Sequence, residues 1–160
     1  LLLEFTIMYQ QKKISQNFSF QSDQMGRISG YASVFNTTDS QRDQVARGAF
    51  TKTLQAWRQM GRVPRMLWQH SSKDPIGVWD VLREDERGLY VEGHLVLSVR
   101  QGFEAYELIR KGALEGFSIG FRVVRAAVDP TRKIRILKDI DLLEISLVTF
   151  PSNLLARISI

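Results

Sequence analysis

The sequence predicts a single, mainly β domain with flanking helices, an α+β fold in which about seven strands form a closed or nearly closed β-barrel. Two observations support this prediction. Most apolar residues occur in short segments that alternate with polar or small residues, whereas only two segments show helical spacing. The strands and helices also lack the regular alternation of a parallel α/β sheet, and no internal repeat divides the chain.

Six segments have the alternation and the β-branched or aromatic content of strands, and turn residues lie between them. These predicted strands cover residues 26–35, 65–70, 76–83, 88–97, 115–124 and 134–150. We predict a turn over residues 71–75, which read SSKDP, and a basic turn over residues 129–133.

Two segments have helical spacing. Residues 48–60 are followed by Gly61, which is placed to end the first helix. Residues 98–111 begin with Ser98 as a candidate N-cap. The predicted apolar stripes consist of Phe50, Leu54 and Trp57 in the first helix, and of Phe103, Tyr106 and Ile109 or Arg110 in the second.

The 160 residues, 44% of them hydrophobic, suffice for one domain core, which we assign to residues 18–160. Residues 1–17 are predicted to be a poorly packed leader. The N-terminal LLLEFTIM is short, contains Glu4 and lacks a basic region, so we do not interpret it as a signal peptide or membrane span. The chain stops at Ile160 in an apolar run, which suggests a truncated product.

The composition limits the possible chemistry. The chain contains no cysteine and two histidines, so disulfides and thiolate sites are excluded, and we expect neither a metal nor another cofactor. The net charge of +5 permits anionic partners, but the basic residues are dispersed. Nucleic-acid binding typically combines basic residues with exposed aromatics, and the three tryptophans lie in apolar patterns instead.

Ser118 is the candidate nucleophile. In a strand, alternation places Gly116, Ser118 and Gly120 on one face and the bulky Phe117 and Ile119 on the other. Glycines are unfavourable inside a strand unless a backbone or ligand approaches closely, so Gly116 and Gly120 would let a substrate chain reach the serine. The alternative is an ordinary serine on a solvated face.

Activation of a serine requires a neutral imidazole and a third group that orients it. His70 ends a predicted strand beside a loop, where sites concentrate, although it could also be a half-buried barrel histidine. His94 lies in mid-strand, which favours a structural or solvated role. Glu144 shares a mostly apolar strand face with Ser146, and a buried acid needs a partner. That partner could be His70 or a basic residue in a structural ion pair.

Several short sequence motifs, in this order, resemble those of the prohead protease family of tailed bacteriophages with HK97-type heads. They are GYASVFN (30–36), RGAF (47–50), MLWQH (66–70), PIGVW (75–79), GLYVEGHL (88–95), GFSIGF (116–121) and LLEISLVTFPSN (142–153). Each motif alone is weak evidence for the family, but the ordered set is specific and spans most of the chain.

The resemblance implies a serine endopeptidase that cleaves scaffold and major capsid protein, and itself, and that is related in fold to the herpesvirus assembly proteases. It implies that His70 is the general base, Ser118 the nucleophile and Glu144 the third member, where the herpesvirus enzymes use a second histidine. Action inside the assembling prohead, in the cytoplasm of an infected or lysogenic bacterium, and a homodimer or higher assembly follow from the same resemblance.

The turn TFPSN offers candidates for an oxyanion hole. Backbone N–H groups of Ser152 and Asn153 are available there, because Pro151 fixes the turn and has no N–H of its own. The alternative function, from another class, is a non-catalytic β-barrel that binds capsid protein or nucleic acid.

Overall fold

A computed structural model describes residues 25–160, so the predicted leader over residues 1–17 lies outside the described residues. Within this range the chain forms eight strands and two helices. The strands are β1 (Arg27–Val34), β2 (Asp43–Val45), β3 (Arg65–Trp68), β4 (Ser71–Glu84), β5 (Gly88–Leu95), β6 (Gly116–Asp129), β7 (Ile134–Val148) and β8 (Ile158–Ser159). The helices are α1 (Thr51–Gln59) and α2 (Arg100–Arg110).

The strands form one mixed sheet in the order β2-β7-β3-β4-β5-β1-β8, with β6 paired to β7. Strands β2 and β3 run parallel to β7, whereas β6 runs antiparallel to it along almost its whole length. The long strand β7 therefore lies between β6 on one edge and β2 and β3 on the other.

The sheet curls until its two ends meet. The Phe117 N–H donates to the Ala156 carbonyl (3.0 Å), and the Ile158 N–H donates to the Glu115 carbonyl (2.9 Å). Because β8 also pairs with β1, these bonds connect β6 back to the opposite end of the sheet. This closure confirms the predicted fold class.

The interior of the curled sheet holds a single apolar core. Its largest fully buried side chains are Trp79, Phe50, Phe117, Met66, Ile76, Leu89, Leu114, Leu137, Ile140, Leu142, Ile145 and Leu147. Helix α1 packs onto this core as predicted, with Leu54 buried and the Trp57 indole N–H donating to the Leu142 carbonyl (2.8 Å). No helix among residues 25–160 is both long and apolar enough to cross a membrane.

Helix α2 differs from its prediction. Val99, not Ser98, is its N-cap residue, and no side chain caps it. It buries Gly102, Ala105 and Ile109, while Phe103 is half exposed. The physical reason is close backbone approach, because a β-carbon on Gly102 would lie 3.0 Å from the Ile76 carbonyl oxygen. Only a small residue fits at that contact. Of the predicted stripe, Ile109 is buried and Tyr106 packs partly buried against the core, whereas Phe103 points outward.

Three further sequence predictions are corrected. Residues 71–75 are not a turn but the start of β4, and the turn lies at Gln69 and His70. Strands β2 and β8 were not predicted, because two or three residues carry too little periodicity to be recognised. In β6 a register shift after Gly120 interrupts the alternation of the strand predicted over residues 115–124, and Val123 is exposed.

Candidate active site

The β3–β4 turn presents His70 from an unusual backbone. Gln69 and His70 have φ values of 48° and 62°, the left-handed region that non-glycine residues adopt at a cost of about 1–3 kcal/mol each. A two-residue hairpin with positive φ at both positions normally contains Asn or Gly. Gln-His lacks that signature, which explains why the turn was predicted over residues 71–75 instead.

Contacts from β7 and the segment after it hold this turn. The Gln69 N–H donates to the Leu147 carbonyl (3.0 Å), and the His70 N–H donates to the Ser146 hydroxyl (3.0 Å). The Gln69 side-chain amide donates to Thr149 Oγ1 (2.8 Å). The neighbouring strand therefore fixes the direction in which the imidazole points.

The pairing of β6 with β7 sets the positions of the other two predicted residues. Ser118 lies opposite Ser146, and Gly120 lies opposite Glu144. Residues two apart on a strand share a face, so Glu144 and Ser146 point to the same side as Ser118. Three adjacent segments thus deliver the serine, the carboxylate and the imidazole to one place.

The imidazole of His70 bridges the serine and the carboxylate. Its Nδ1 lies 2.6 Å from Glu144 Oε1, and its Nε2 lies 2.9 Å from Ser118 Oγ. An ionised carboxylate only accepts hydrogen bonds, so Nδ1 carries the proton and donates it to Glu144. The unprotonated Nε2 then accepts from the Ser118 hydroxyl. This arrangement can remove a proton from the serine as it attacks an electrophile.

Burial and charge adapt the histidine to this role. Ser118 is 9% exposed and the Glu144 side chain 13% exposed, while the His70 side chain is 44% exposed. The hydrogen bond to Glu144 raises the pKa of His70 above its ordinary 6.5, and partial burial opposes this rise. The negative charge of Glu144 acts in the same direction as its hydrogen bond.

A cavity of about 370 Å³ opens beside Ser118 and His70. Its other lining residues are Ala32, Ser33, Thr37, Asp39, Gln41, Asp43, Val45, Phe117, Ile119, Gly120, Phe121, Val123, Arg135, Ser152 and Asn153. The Asp43 carboxylate in its wall accepts two hydrogen bonds from Arg135 (2.8 and 2.6 Å). These two residues were not predicted to lie near the serine, because β2 was not predicted.

The two glycines of β6 accommodate protein atoms. A β-carbon on Gly120 would lie 2.7 Å from Cδ of Glu144, and one on Gly116 would lie 2.7 Å from Cδ of Pro151. Gly120 also lines the cavity, whereas Gly116 does not. The absent side chains thus make room for the Glu144 carboxylate and for the proline that leads into the next turn.

That turn brings Ser152 and Asn153 to the cavity wall. The Asn153 side-chain amide donates to the Val34 carbonyl (3.0 Å), and the Ser152 carbonyl accepts from the Ser40 N–H (3.1 Å). Within residues 25–160, the backbone N–H groups of Ser152 and Asn153 have no acceptor. Both residues line the same cavity as Ser118, so the assignment of their N–H groups to an oxyanion hole stays a prediction.

His94 lies elsewhere, on β5, where its Nδ1 is 2.9 Å from Asp80 Oδ2. It has no contact with Ser118, His70 or Glu144. The part played by Ser146 was also missed from the sequence. Its place on the Glu144 face was visible, but its contact with the His70 backbone required the tertiary structure. Residues 25–160 hold no cluster of three or more potential metal ligands.

Comparison with known proteins agrees with the predicted resemblance. The family model of the Caudovirus prohead serine protease matches residues 12–160. The chain is 41% identical over 132 residues to the prohead protease of Enterobacteria phage HK97, covering 80% of this chain and 56% of that protein. It is 34% identical over 127 residues to the prohead protease of Escherichia phage T5, covering 79% and 59%. The chain thus spans less than two thirds of either relative.

A solved structure of another protein shows the same fold. The bacteriophage T4 capsid assembly protease superposes with a TM-score of 0.59 at 10% identity, covering 76% of this chain and 82% of that one. The varicella-zoster virus protease superposes more loosely, with a TM-score of 0.46 over 83% and 62% of the two chains. On the family model and the identity to the two phage relatives, the chain belongs to the Caudovirus prohead serine protease family.

Proposed function

We propose that the chain is a serine endopeptidase that cleaves scaffold and major capsid protein, and itself, during maturation of a phage prohead. The observation that carries this proposal is the position of the His70 imidazole, 2.9 Å from Ser118 Oγ and 2.6 Å from Glu144 Oε1. The family and the names of the relatives, prohead protease and capsid assembly protease, support the choice of substrates. The site of action is then the inside of the assembling prohead, in the cytoplasm of the bacterial host.

In the first half of the reaction, Ser118 Oγ attacks the scissile carbonyl carbon while its proton moves to His70 Nε2. Glu144 stabilises the imidazolium through the Nδ1–H bond. The carbonyl oxygen becomes an oxyanion, and the backbone N–H groups of Ser152 and Asn153 are the donors proposed for it. The imidazolium then protonates the leaving amine, the C–N bond breaks, and an ester to Ser118 remains.

In the second half, water replaces the amine. His70 Nε2 takes a proton from the water as its oxygen attacks the ester carbon, and the same proton returns to Ser118 Oγ as the C–O bond breaks. The new carboxyl end leaves and the serine is restored. The cavity beside Ser118 provides space for the peptide, and Gly120 is the proposed point of close approach on β6.

The direct test is coexpression of the chain with the capsid protein that the neighbouring gene encodes. Ser118→Ala should abolish truncation of the capsid protein and labelling by a serine-reactive phosphonate, while the fold persists because one small side chain replaces another. Ser29→Ala, a serine on β1 away from the triad, is the matched control and should cleave normally. Continued cleavage by a folded Ser118→Ala chain would contradict the mechanism, and a non-catalytic binding barrel would leave the phosphonate unreacted in every variant.

We also propose that the enzyme acts as a homodimer or higher assembly. Helix α2 leaves Phe103 and Leu108 partly exposed, at 49% and 39%, which suits a contact between copies. Light scattering should show association at micromolar concentration, weakened by Phe103→Ser. A fully active monomer at that concentration would refute the assembly without affecting the triad.

A further inference from the structure

Ser146 connects two parts of the catalytic apparatus through one hydroxyl. Its side chain is fully buried, at 0% exposure. The hydroxyl donates to Glu144 Oε2 (2.7 Å) and accepts from the His70 N–H (3.0 Å). A hydroxyl has a single proton, so the donor capacity of Ser146 is used entirely on the carboxylate.

These two bonds act on the two features that set the geometry of the triad. The bond to Oε2 holds the Glu144 carboxylate, whose other oxygen accepts from His70 Nδ1. The bond from the His70 N–H stabilises His70 in the left-handed region of φ, which is unfavourable for a residue other than glycine. Glutamate has three side-chain torsions, and Gly120 on the neighbouring strand makes room for the carboxylate but has no side chain to hold it in place. A second contact is therefore needed to keep Oε1 directed at the imidazole.

We propose that Ser146 is a positioning residue, which fixes the Glu144 carboxylate relative to His70 and thereby keeps the imidazole in the orientation and tautomer that accept the Ser118 proton. It touches neither the substrate nor the reacting atoms. The proposal rests on the proposed protease function for its kinetic consequences, but its structural consequence can be measured without catalysis.

Removal of the hydroxyl should affect turnover more than substrate binding. In Ser146→Ala, Glu144 Oε2 and the His70 N–H both lose a buried partner. We expect kcat to fall by on the order of 10²-fold, as misplacement of a catalytic group by about 1 Å can cause, with KM changed less than about twofold. Ser146→Thr keeps the hydroxyl and should restore most of kcat.

The matched control is Thr53→Val. Thr53 is also buried, and its Oγ1 accepts from the Leu142 N–H on β7 (3.0 Å), but it has no contact with the triad. It therefore reports the general effect of losing a buried hydroxyl that is hydrogen-bonded to β7. Kinetics would use a peptide spanning the cleavage site mapped in the coexpressed capsid protein.

The activity-independent readout is the titration of His70 by ¹⁵N NMR in a Ser118→Ala background. The sequence has only two histidines, so His94 serves as an internal reference. Among the described residues, Glu144 supplies the charge that acts on His70. Loss of its fixed geometry should lower the pKa of His70 in Ser146→Ala, whereas Thr53→Val should leave it unchanged.

The proposal fails if the His70 titration is unchanged in Ser146→Ala while Glu144→Gln lowers it, or if the kinetics of Ser146→Ala match those of Thr53→Val. If Ser146→Ala does not fold, Ser146→Cys replaces it, because the thiol keeps a weaker donor. The pKa of His70 in Ser146→Cys must then lie between its values in the chain with Ser146 and in Glu144→Gln, or the proposal fails. Residual cleavage by Ser118→Ala would instead refute the protease mechanism and leave the titration result standing.

Discussion

The molecule contains two histidine–carboxylate pairs with similar N–O distances, and only one of them places a serine hydroxyl on the other ring nitrogen. His70 Nδ1 lies 2.6 Å from Glu144, and His94 Nδ1 lies 2.9 Å from Asp80. The carboxylates differ sharply in environment, since the Glu144 side chain is 13% exposed and that of Asp80 is 43% exposed. Exposed pairs are screened by water and contribute little, whereas a buried carboxylate acts strongly on its partner.

The second difference is the group opposite the carboxylate. His70 presents Nε2 to the Ser118 hydroxyl, and its backbone is held by Ser146. His94 lies on the regular strand β5, between β4 and β1. The comparison teaches that a close histidine–carboxylate contact does not itself make a site. The site requires burial of the acid, a serine on the far ring nitrogen and a backbone that holds both.

Replacing each of the two histidines by alanine should distinguish the two pairs most strongly. His70→Ala should lower kcat by about 10⁵-fold or more, because the serine then lacks any base. His94→Ala should retain activity within about twofold and lose only the exposed contact with Asp80. Cleavage of the mapped peptide, with folding checked by circular dichroism, provides the measurement. An inactive but folded His94→Ala beside an active His70→Ala would reverse the assignment.

Exchange of the carboxylates should give the next largest effect. Glu144→Gln keeps the shape but favours the wrong imidazole tautomer and cannot stabilise imidazolium, so kcat should fall by about 10³-fold, less than the roughly 10⁴-fold of an analogous aspartate-to-asparagine change in another serine protease. Glutamate has an extra torsion and holds the ring less rigidly. Asp80→Asn is the matched control and should have little effect. Equal kinetics for the two variants would remove Glu144 from the triad.

A smaller loss is expected from Gly120→Ala. The added β-carbon would lie 2.7 Å from Cδ of Glu144, so the flexible carboxylate must move away from His70 while the backbone remains in place. We expect kcat to fall by on the order of 10²-fold with little loss of stability. A thermal melt and a kcat measurement on the same sample separate the two effects. If kcat is unchanged, the position of the carboxylate matters less than its presence.

The smallest effect is a shift in the pH profile. Only neutral His70 accepts the serine proton, so activity should be lost as the pH falls through the pKa of His70, which the Glu144 hydrogen bond raises above 6.5. In Glu144→Gln the residual activity should persist to lower pH, because the cause of that rise is gone. Profiles of kcat/KM from about pH 5 to 9 test this, with Asp80→Asn expected to follow the wild type. A Glu144→Gln limb at the same or higher pH would contradict the role of the carboxylate in setting that pKa.

Local patterns determined much of the molecule. Alternation identified the six longer strands, helical spacing identified α1, and the demand of a buried acid for a partner drew attention to Glu144. The ordered motifs around His70, Ser118 and Glu144 indicated the family. These inferences succeed because side-chain periodicity and the cost of a buried charge are properties of short segments.

Only the tertiary structure decided the rest. The left-handed turn at His70 depends on hydrogen bonds that it donates to residues of β7 and beyond, which are far away in sequence, and no local signature marks it. The same is true of Ser146. Its position on the same strand face as Glu144 was evident from the sequence, but its hydrogen bond to His70 joins residues that are 76 positions apart. Helix α2 turned its small residues inward because the space beside Ile76 is set by the packed sheet. Contacts between distant segments follow from how the barrel closes, and periodicity within one segment carries no information about that closure.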